Sequence, residues 1–489
     1  MPLTLPIVVR CADCFVNRVR YVLDTLLLAR GIDAVYVDEP PSDGPWLLYA
    51  PVNEAIPVAA TCLVVAHDSA AWAIFNGCAR LLPDASAKID GIPVVLSSAV
   101  SIRSQPGLIA FDIVANAFYF LSSWSERVGP GPPRHRHSYR DSEFARLNVP
   151  QDIVDQYLRL LLHQFDLRFG GLARLARSTF RWPGGASYAV VLSHDVDFLP
   201  SGWMDITKQG VKTIARHLIR QRSPGQAATA ALNFVKTTAS GRDPYGCLPY
   251  LPAREQSLGV KASYQIAVSR RHPRDVNYDV YSARTRDKLR EILDYGAEIG
   301  LHGSYLSTSQ EDWYLDEVQI LSERIVHPIG SRQHYLSFDY DVLFTAQDKA
   351  GIAYDMSMGY PDRIGARSGF SFPYFPYDLR NDRPYRVLQL GLGLMDVTLQ
   401  SYMRLSANDA WGRIKETLDS LRDTGGCTSA VWHPIVFGGA RDPGFDRLYW
   451  QMIDYVRQTN GLATDGRTIN HEWRRAAVRY KSFAPAKTP

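Results

Sequence analysis

Short apolar runs alternate with turns and amphipathic stretches along the whole chain. In the first part, Ile7–Val9 predicts a short strand, Arg18–Ala29 a helix with leucines at helical spacing, and Ala34–Val37 a second strand. Further apolar runs at Trp46–Tyr49 and Cys62–Ala66 read as strands. The stretch Gly129–Arg140, rich in Pro, Gly, Arg and His, reads as a loop. A helix is expected over Ile153–Phe165.

From Trp182 onward the rhythm becomes a repeated strand followed by a helix. Strand Tyr188–Leu192 precedes a helix-and-loop insertion over Ser201–Gly259, and strand Ala262–Ala267 follows it. Helix Arg284–Tyr295 carries Leu289, Ile292 and Leu293 on one stripe and stops at Gly296. Strand Glu298–Leu301 comes next, then helix Glu311–Ile325, the segment Arg332–Leu336, strand Val387–Leu390, helix Ala407–Arg422 and strand Ser429–Trp432. Strands alternating with helices predict a parallel α/β sheet, and six or seven such units suit a barrel. The expected organisation is a smaller α/β unit over residues 1–180, a barrel over 181–482 and a tail over 483–489.

In parallel barrels, chemistry sits at the C-terminal ends of strands. That is where Asp195, Asp197, His302, the Arg332–His334 segment and His433 fall. Asp195 and Asp197 are spaced i, i+2 at the end of an apolar strand, so alternation points both to one face. Two neighbouring carboxylates repel, and a bound cation or a shifted protonation state offsets that cost. The pair therefore reads as one metal ligand beside one base. By the same alternation His194 points away from Asp195 and reads as structural. His67-Asp68 reads as a capped turn. The cluster Phe370–Tyr377 reads as core packing or as faces for sugar stacking.

Bulk properties narrow the partners. A formal charge of +4 on 54 basic and 50 acidic residues does not argue for nucleic acid or an anionic membrane. The six cysteines include one Cys11-x-x-Cys14 pair without a second pair to complete a zinc cage, so they read as free thiols of a reducing cytosol. No window has the ~20 apolar residues of a membrane span, and the N-terminus lacks the pattern of a secretory signal. A cytoplasmic protein is expected.

Four segments carry a resemblance: His194-Asp195-Val-Asp197, Glu298-Ile-Gly-Leu-His302, Arg332-Gln-His334-Tyr335 and Val431-Trp-His433. With Tyr354-Asp-Met-Ser357, they resemble, in order, the motifs of the polysaccharide deacetylases with a NodB homology domain (carbohydrate esterase family four). The resemblance covers about 300 residues. The segment before it resembles an uncharacterised domain that precedes one branch of this family. The likeness implies an irregular (β/α)7-type barrel that removes N- or O-acetyl groups from sugars with one divalent metal. It implies Asp195 as base and Asp197 and His302 as metal ligands. Arg332 would orient the base, the backbone N–H of Tyr335 would donate to the oxyanion, and His433 would protonate the leaving group. Two departures stand out. Leu306 occupies the position of the family's second motif histidine, and the motif proline is replaced by His334. His334 is either the replacement ligand or a residue that orients one. The family's Asp-rich fourth motif is not evident, and Arg367-Ser-Gly-Phe occupies about that region. A two-histidine, one-carboxylate set suits zinc first, with iron, cobalt or manganese also compatible. The implied substrate is a carbohydrate. Hydrolysis of a C–N bond in an imide or ureide, and a non-catalytic barrel that binds a glycan or a partner, are the rival readings.

Overall fold

The structure is a computed structural model describing residues 3–51, 61–77, 83–85, 87–89, 91–98, 106–128, 138–170, 181–220, 222–241, 243–246, 248, 250–438, 440–441 and 444–479. Most of the stretch expected as the Gly129–Arg140 loop, and the expected tail 483–489, lie outside these residues.

The first part forms a five-stranded sheet, all parallel, in the order Ile32–Tyr36, Leu3–Val9, Trp46–Pro51, Cys62–His67 and Leu108–Ile109. Its central strands are apolar on both faces because both are covered. Ile7, Leu47, Tyr49, Leu63 and Val65 face a large core shared with helices Val16–Leu28, Ile113–Leu121 and Ile153–Phe169. Val8, Trp46, Leu48 and Val64 form a smaller core on the other side. Asp112 is the polar hub of this layer. One carboxylate oxygen caps the helix it precedes, accepting from the backbone N–H of Val114 and Ala115. The other accepts from the Tyr49 hydroxyl, the Trp72 indole and the N–H of Asp68. Asp68 in turn caps the short helix Ser69–Ala73.

The second part is an irregular (β/α)7-type barrel. Strands Tyr188–Val196, Ser263–Ile266, Glu298–Gly303, Gly330–Gln333 and Tyr354–Asp355 lie side by side in chain order, all parallel. The stretch 388–395 then closes the ring by changing partners. Leu388–Gln389 pairs with Tyr354–Asp355, and Leu392–Met395 pairs with Cys427–Val431, with a register shift between Leu392 and Leu394. Cys427–Val431 returns to Tyr188–Val196. A further strand, Gly461–Thr464, adds to the first half of Tyr188–Val196.

Alternation sorts each barrel strand. On Glu298–Gly303, Ile299 and Leu301 join the outer core beneath the helices. Glu298, Gly300 and His302 share the opposite face. Gly300 is required there, because a Cβ would fall 2.4 Å from the Gln265 side chain and 2.8 Å from the Gly330 carbonyl. At the far end Glu298 accepts from Ser263 Oγ, Tyr354 OH and the N–H of Arg467, and burial pushes its carboxyl up to about 7. This glutamate, four residues before His302, thus closes the bottom of the barrel.

Two local readings change, and the core-packing reading of Phe370–Tyr377 holds. Strand Tyr188–Val196 runs past Leu192 and carries Asp195 within it. The Arg332–Leu336 segment divides: Arg332 and Gln333 end strand Gly330–Gln333, while His334–Leu336 form a tight turn with Tyr335 and Leu336 at positive φ (61° and 51°). The aromatic cluster Phe370–Tyr377 is not a sugar face. Phe370, Phe372, Tyr374, Phe375 and Tyr377 are buried in the same core as the N-terminal helices, with Tyr377 against Tyr21 at 4.8 Å between ring centres. Of the four cysteines described, all free, Cys62 and Cys427 are buried while Cys14 is exposed. No helix among the described residues is long and apolar enough to cross a membrane.

Ion pairs lock the N-terminal layer onto the barrel. Arg367 is 3% exposed and donates from Nε and Nη2 to the two oxygens of Glu126, at 3.1 and 2.7 Å. Arg127 pairs with Asp341 and donates to the Tyr377 carbonyl at 2.8 Å. Removing one partner of a buried pair strands the other charge. Glu126→Ala is therefore expected to destabilise the protein by about 3 kcal/mol, measured by urea unfolding. A loss within the scatter of surface substitutions would show that the pair does not hold the layers together.

Candidate functional site

All the strand-end residues singled out above meet at one end of the barrel. A cleft of about 190 Å³ is lined by Asp195, Asp197, His302, His334, Tyr335 and His433, together with Gln333, Leu336, Pro361, Met395, Val397, Tyr402 and Arg441. Arg332 lies beneath it, fully buried.

Asp195 is the last inward-facing residue of its strand. Its carboxylate accepts from Arg332 Nη1 at 2.7 Å. Arg332 also donates to Ser193 Oγ at 2.8 Å and to the Met356 carbonyl at 3.1 Å, so the guanidinium cannot swing away. Burial pushes the Asp195 carboxyl up, but Arg332, His302 and His433 outweigh it and hold the group below the usual carboxylate range. Asp197 reaches the cleft differently from the expected strand alternation. The strand ends at Val196, and the Asp197 N–H turns back to the Asp195 carbonyl at 3.1 Å. The turn, rather than a continued strand, directs its side chain toward three histidines.

His302 and His334 flank Asp197. Nε2 of His302 lies 3.2 Å and Nε2 of His334 lies 3.7 Å from Oδ1 of Asp197. The other His302 nitrogen, Nδ1, is 3.0 Å from the Arg332 carbonyl. A carbonyl only accepts, so Nδ1 carries the proton and the neutral ring aims its Nε2 lone pair at a carboxylate oxygen. Both atoms are buried without a hydrogen-bond partner. Two lone pairs in contact require a cation between them: a proton or a metal ion. Burial lowers the His302 pKa, yet the carboxylates of Asp195 and Asp197 raise it above its ordinary value. His334 is the reverse case: burial, only partly opposed by Asp197, drops it to about 4, so it stands neutral with a lone pair to give. Burial alone would raise Asp197, but His334, His302 and His433 hold it well below the carboxylate range. One donor atom from each of Asp197, His302 and His334 lies within 4.8 Å of the others, so the three form a candidate metal site. The donor set, one carboxylate oxygen and two imidazole nitrogens, fits a divalent transition metal.

His433 completes the cleft. Its Nε2 lies 3.5 Å from Oδ2 of Asp197, and its Nδ1 lies 2.7 Å from Asp396. The His433 N–H donates to the other Asp396 oxygen at 2.9 Å. Burial opposes protonation, but Asp396, then Asp197 and Asp195, raise the imidazole pKa to about 9. Asp396 is missing from the residues selected on sequence. Its signal was present: it follows the apolar strand Leu392–Met395 directly, as Asp195 and His433 lie at the ends of theirs. Tyr335 stands at the mouth, 44% exposed, with its ring 4.4 Å from that of His334. His194 faces the outer core instead, bound to the Trp432 carbonyl and to Glu255.

In fold, the chain is similar to polysaccharide deacetylases. A protein assigned to that class from Mycobacterium smegmatis matches with a TM-score of 0.41 and 18% identity, over 63% of this chain and 96% of its own. Puue allantoinase matches at 0.39 and 14%, over 60% and 92%. A further structure assigned as a polysaccharide deacetylase, from Pseudomonas aeruginosa PAO1, matches at 0.39 and 14%, over 62% and 94%. No protein-family model and no curated sequence matches the chain.

The His433–Asp396 pair is directly testable. The folded pKa of His433 lies above the unfolded value of about 6.5, so its protonation stabilises the fold fully below pH ~6.5 and no longer does so above pH 9. In metal-free protein, NMR titration should place the His433 imidazole near pH 9, and Asp396→Asn should lower it. The stability lost in Asp396→Asn should be greatest at pH 6 and shrink toward pH 10. A His433 titration unmoved by Asp396→Asn would remove the pairing.

Proposed function

We propose that this protein is a metal-dependent deacetylase that removes an acetyl group from a sugar or glycan precursor. The reading is carried by one observation: the Asp197–His302–His334 cluster shares its cleft with a separate carboxylate, Asp195, that is already gripped by Arg332. Asp197, His302 and His334 hold the cation, with zinc favoured by two nitrogens and one oxygen, and iron, cobalt or manganese compatible. When bound, such a cation acidifies water and polarises an acyl carbonyl.

The chain's own residues supply the rest. Asp195 takes the proton of the attacking water. It is kept ionised by Arg332, which makes it a weak base, so the arrangement suits a water already made acidic. The backbone N–H of Tyr335 donates to the oxyanion of the tetrahedral state, a contribution of ~3 kcal/mol for a well-placed donor. His433 is protonated at neutral pH because of Asp396 and delivers its proton to the departing amine or alkoxide. Leu336, Met395 and Val397 line the same cleft and give the acetyl methyl an apolar wall. The exposed Tyr335 ring offers a stacking face for a sugar.

Acetate release from N-acetylated and O-acetylated sugars is the assay. Chelation should abolish release, and a divalent metal should restore it. Asp195→Asn should cut turnover by about 10²–10⁴ while metal content, measured by elemental analysis, stays at one per chain. Release that persists after complete metal removal contradicts the mechanism. Loss of metal from Asp195→Asn would mean that the two aspartates have exchanged roles.

A further inference from the structure

A second groove opens beside the cleft and shares Asp197, His334, Tyr335 and Arg441 with it. Three separate segments bring cations to it. Helix Trp203–Ala215 contributes Lys212, and Arg216 follows directly; the loop after strand Ser263–Ile266 contributes Arg274; the segment after His433 contributes Arg441. Two carboxylates, Asp197 and Asp275, also line the groove. Both oxygens of Asp275 are taken by the backbone N–H groups of His272 and Tyr305, at 2.9 and 3.0 Å. Asp197 belongs to the cation cluster. Among the described residues, neither Lys212 nor Arg274 has a carboxylate within ion-pair distance, and both are exposed.

These cations are also positioned. Arg274 donates to the Tyr305 hydroxyl and lies over the Tyr305 ring at 4.7 Å and the Tyr335 ring at 5.9 Å. Arg216 donates to the Arg441 carbonyl at 3.2 Å, which draws two arginines to one wall. Gathering like charges opposes folding unless an anion joins them. Fixed guanidinium groups suit a phosphate or carboxylate, which they bind through charge-assisted hydrogen bonds.

We propose that this groove binds an anionic group, a phosphate or a carboxylate, carried by the substrate next to its acetylated sugar. The inference rests on the deacetylase reading only for which part of the substrate fills the neighbouring cleft. It makes Lys212 and Arg274 determinants of specificity: a neutral acetylated glycan leaves the groove unfilled.

The test uses full-length, zinc-loaded Asp195→Asn protein, so that binding is read without turnover. Three probes are titrated by calorimetry: N-acetylglucosamine 1-phosphate, a disaccharide of glucuronic acid and N-acetylglucosamine, and neutral diacetylchitobiose. At least one anionic probe should bind about tenfold tighter than the neutral one. Which one wins distinguishes phosphate from carboxylate. The advantage should shrink at high salt and disappear in the Lys212→Ala/Arg274→Ala double variant, whose zinc content should be unchanged. Equal affinity for all three probes, or no binding of either anion at millimolar concentration, overturns the proposal. So does an advantage that persists in the double variant, because Lys212 and Arg274 would then not hold the anion. Anion preference in wild-type protein that releases no acetate would keep the groove and remove the deacetylase reading.

Discussion

Arg332 is completely buried, and a guanidinium cannot shed its charge, so it must find its partners inside the barrel. It reaches Asp195 and Ser193 on one strand and the Met356 carbonyl just beyond another, while its own carbonyl receives Nδ1 of His302 from the strand between. One residue thereby fixes the position of Asp195, keeps it ionised, and sets which nitrogen of His302 is free.

The charges around it form a deliberate imbalance. Asp195, Asp197 and Asp396 converge on the same cleft end, against the permanent cation of Arg332 and the protonated His433. One negative charge is left over at Asp197, where the two remaining histidines present lone pairs. His334 is held neutral by burial and His302 is oriented by a backbone carbonyl. The cleft thus separates two groups: one set of side chains could share a cation, and the other is paired with fixed charges.

Much of this was legible in the sequence, for a physical reason. An apolar strand followed at once by a polar, chemistry-bearing residue marks the C-terminal mouth of a parallel barrel, and Asp195, His302 and His433 all carry that mark. Asp396 carries it too, but a lone aspartate after Met395 looks the same as a helix cap, and nothing local ties it to a histidine 37 residues away. The turn at His334–Leu336 left no trace, because two consecutive left-handed residues are here Tyr and Leu rather than Gly or Asn. The shared core was hidden for another reason. Phe370–Tyr377 reads as a local aromatic run, and only the approach of helices more than 200 positions earlier shows what it packs against.

The seam of the ring has a consequence for how this site could diversify. The stretch 388–395 is pinned to Tyr354–Asp355 at one end and to Cys427–Val431 at the other, with the slack confined to the residues between. Asp396 sits immediately past that seam, whereas none of the three side chains of the candidate metal site is attached to it. Lengthening or shortening the hinge would rotate the carboxylate behind His433 and shift that imidazole's protonation, leaving the geometry of the candidate metal site untouched. The closure point therefore offers evolution, or an engineer, a dial for the protonation of His433 that is mechanically insulated from the Asp197–His302–His334 cluster.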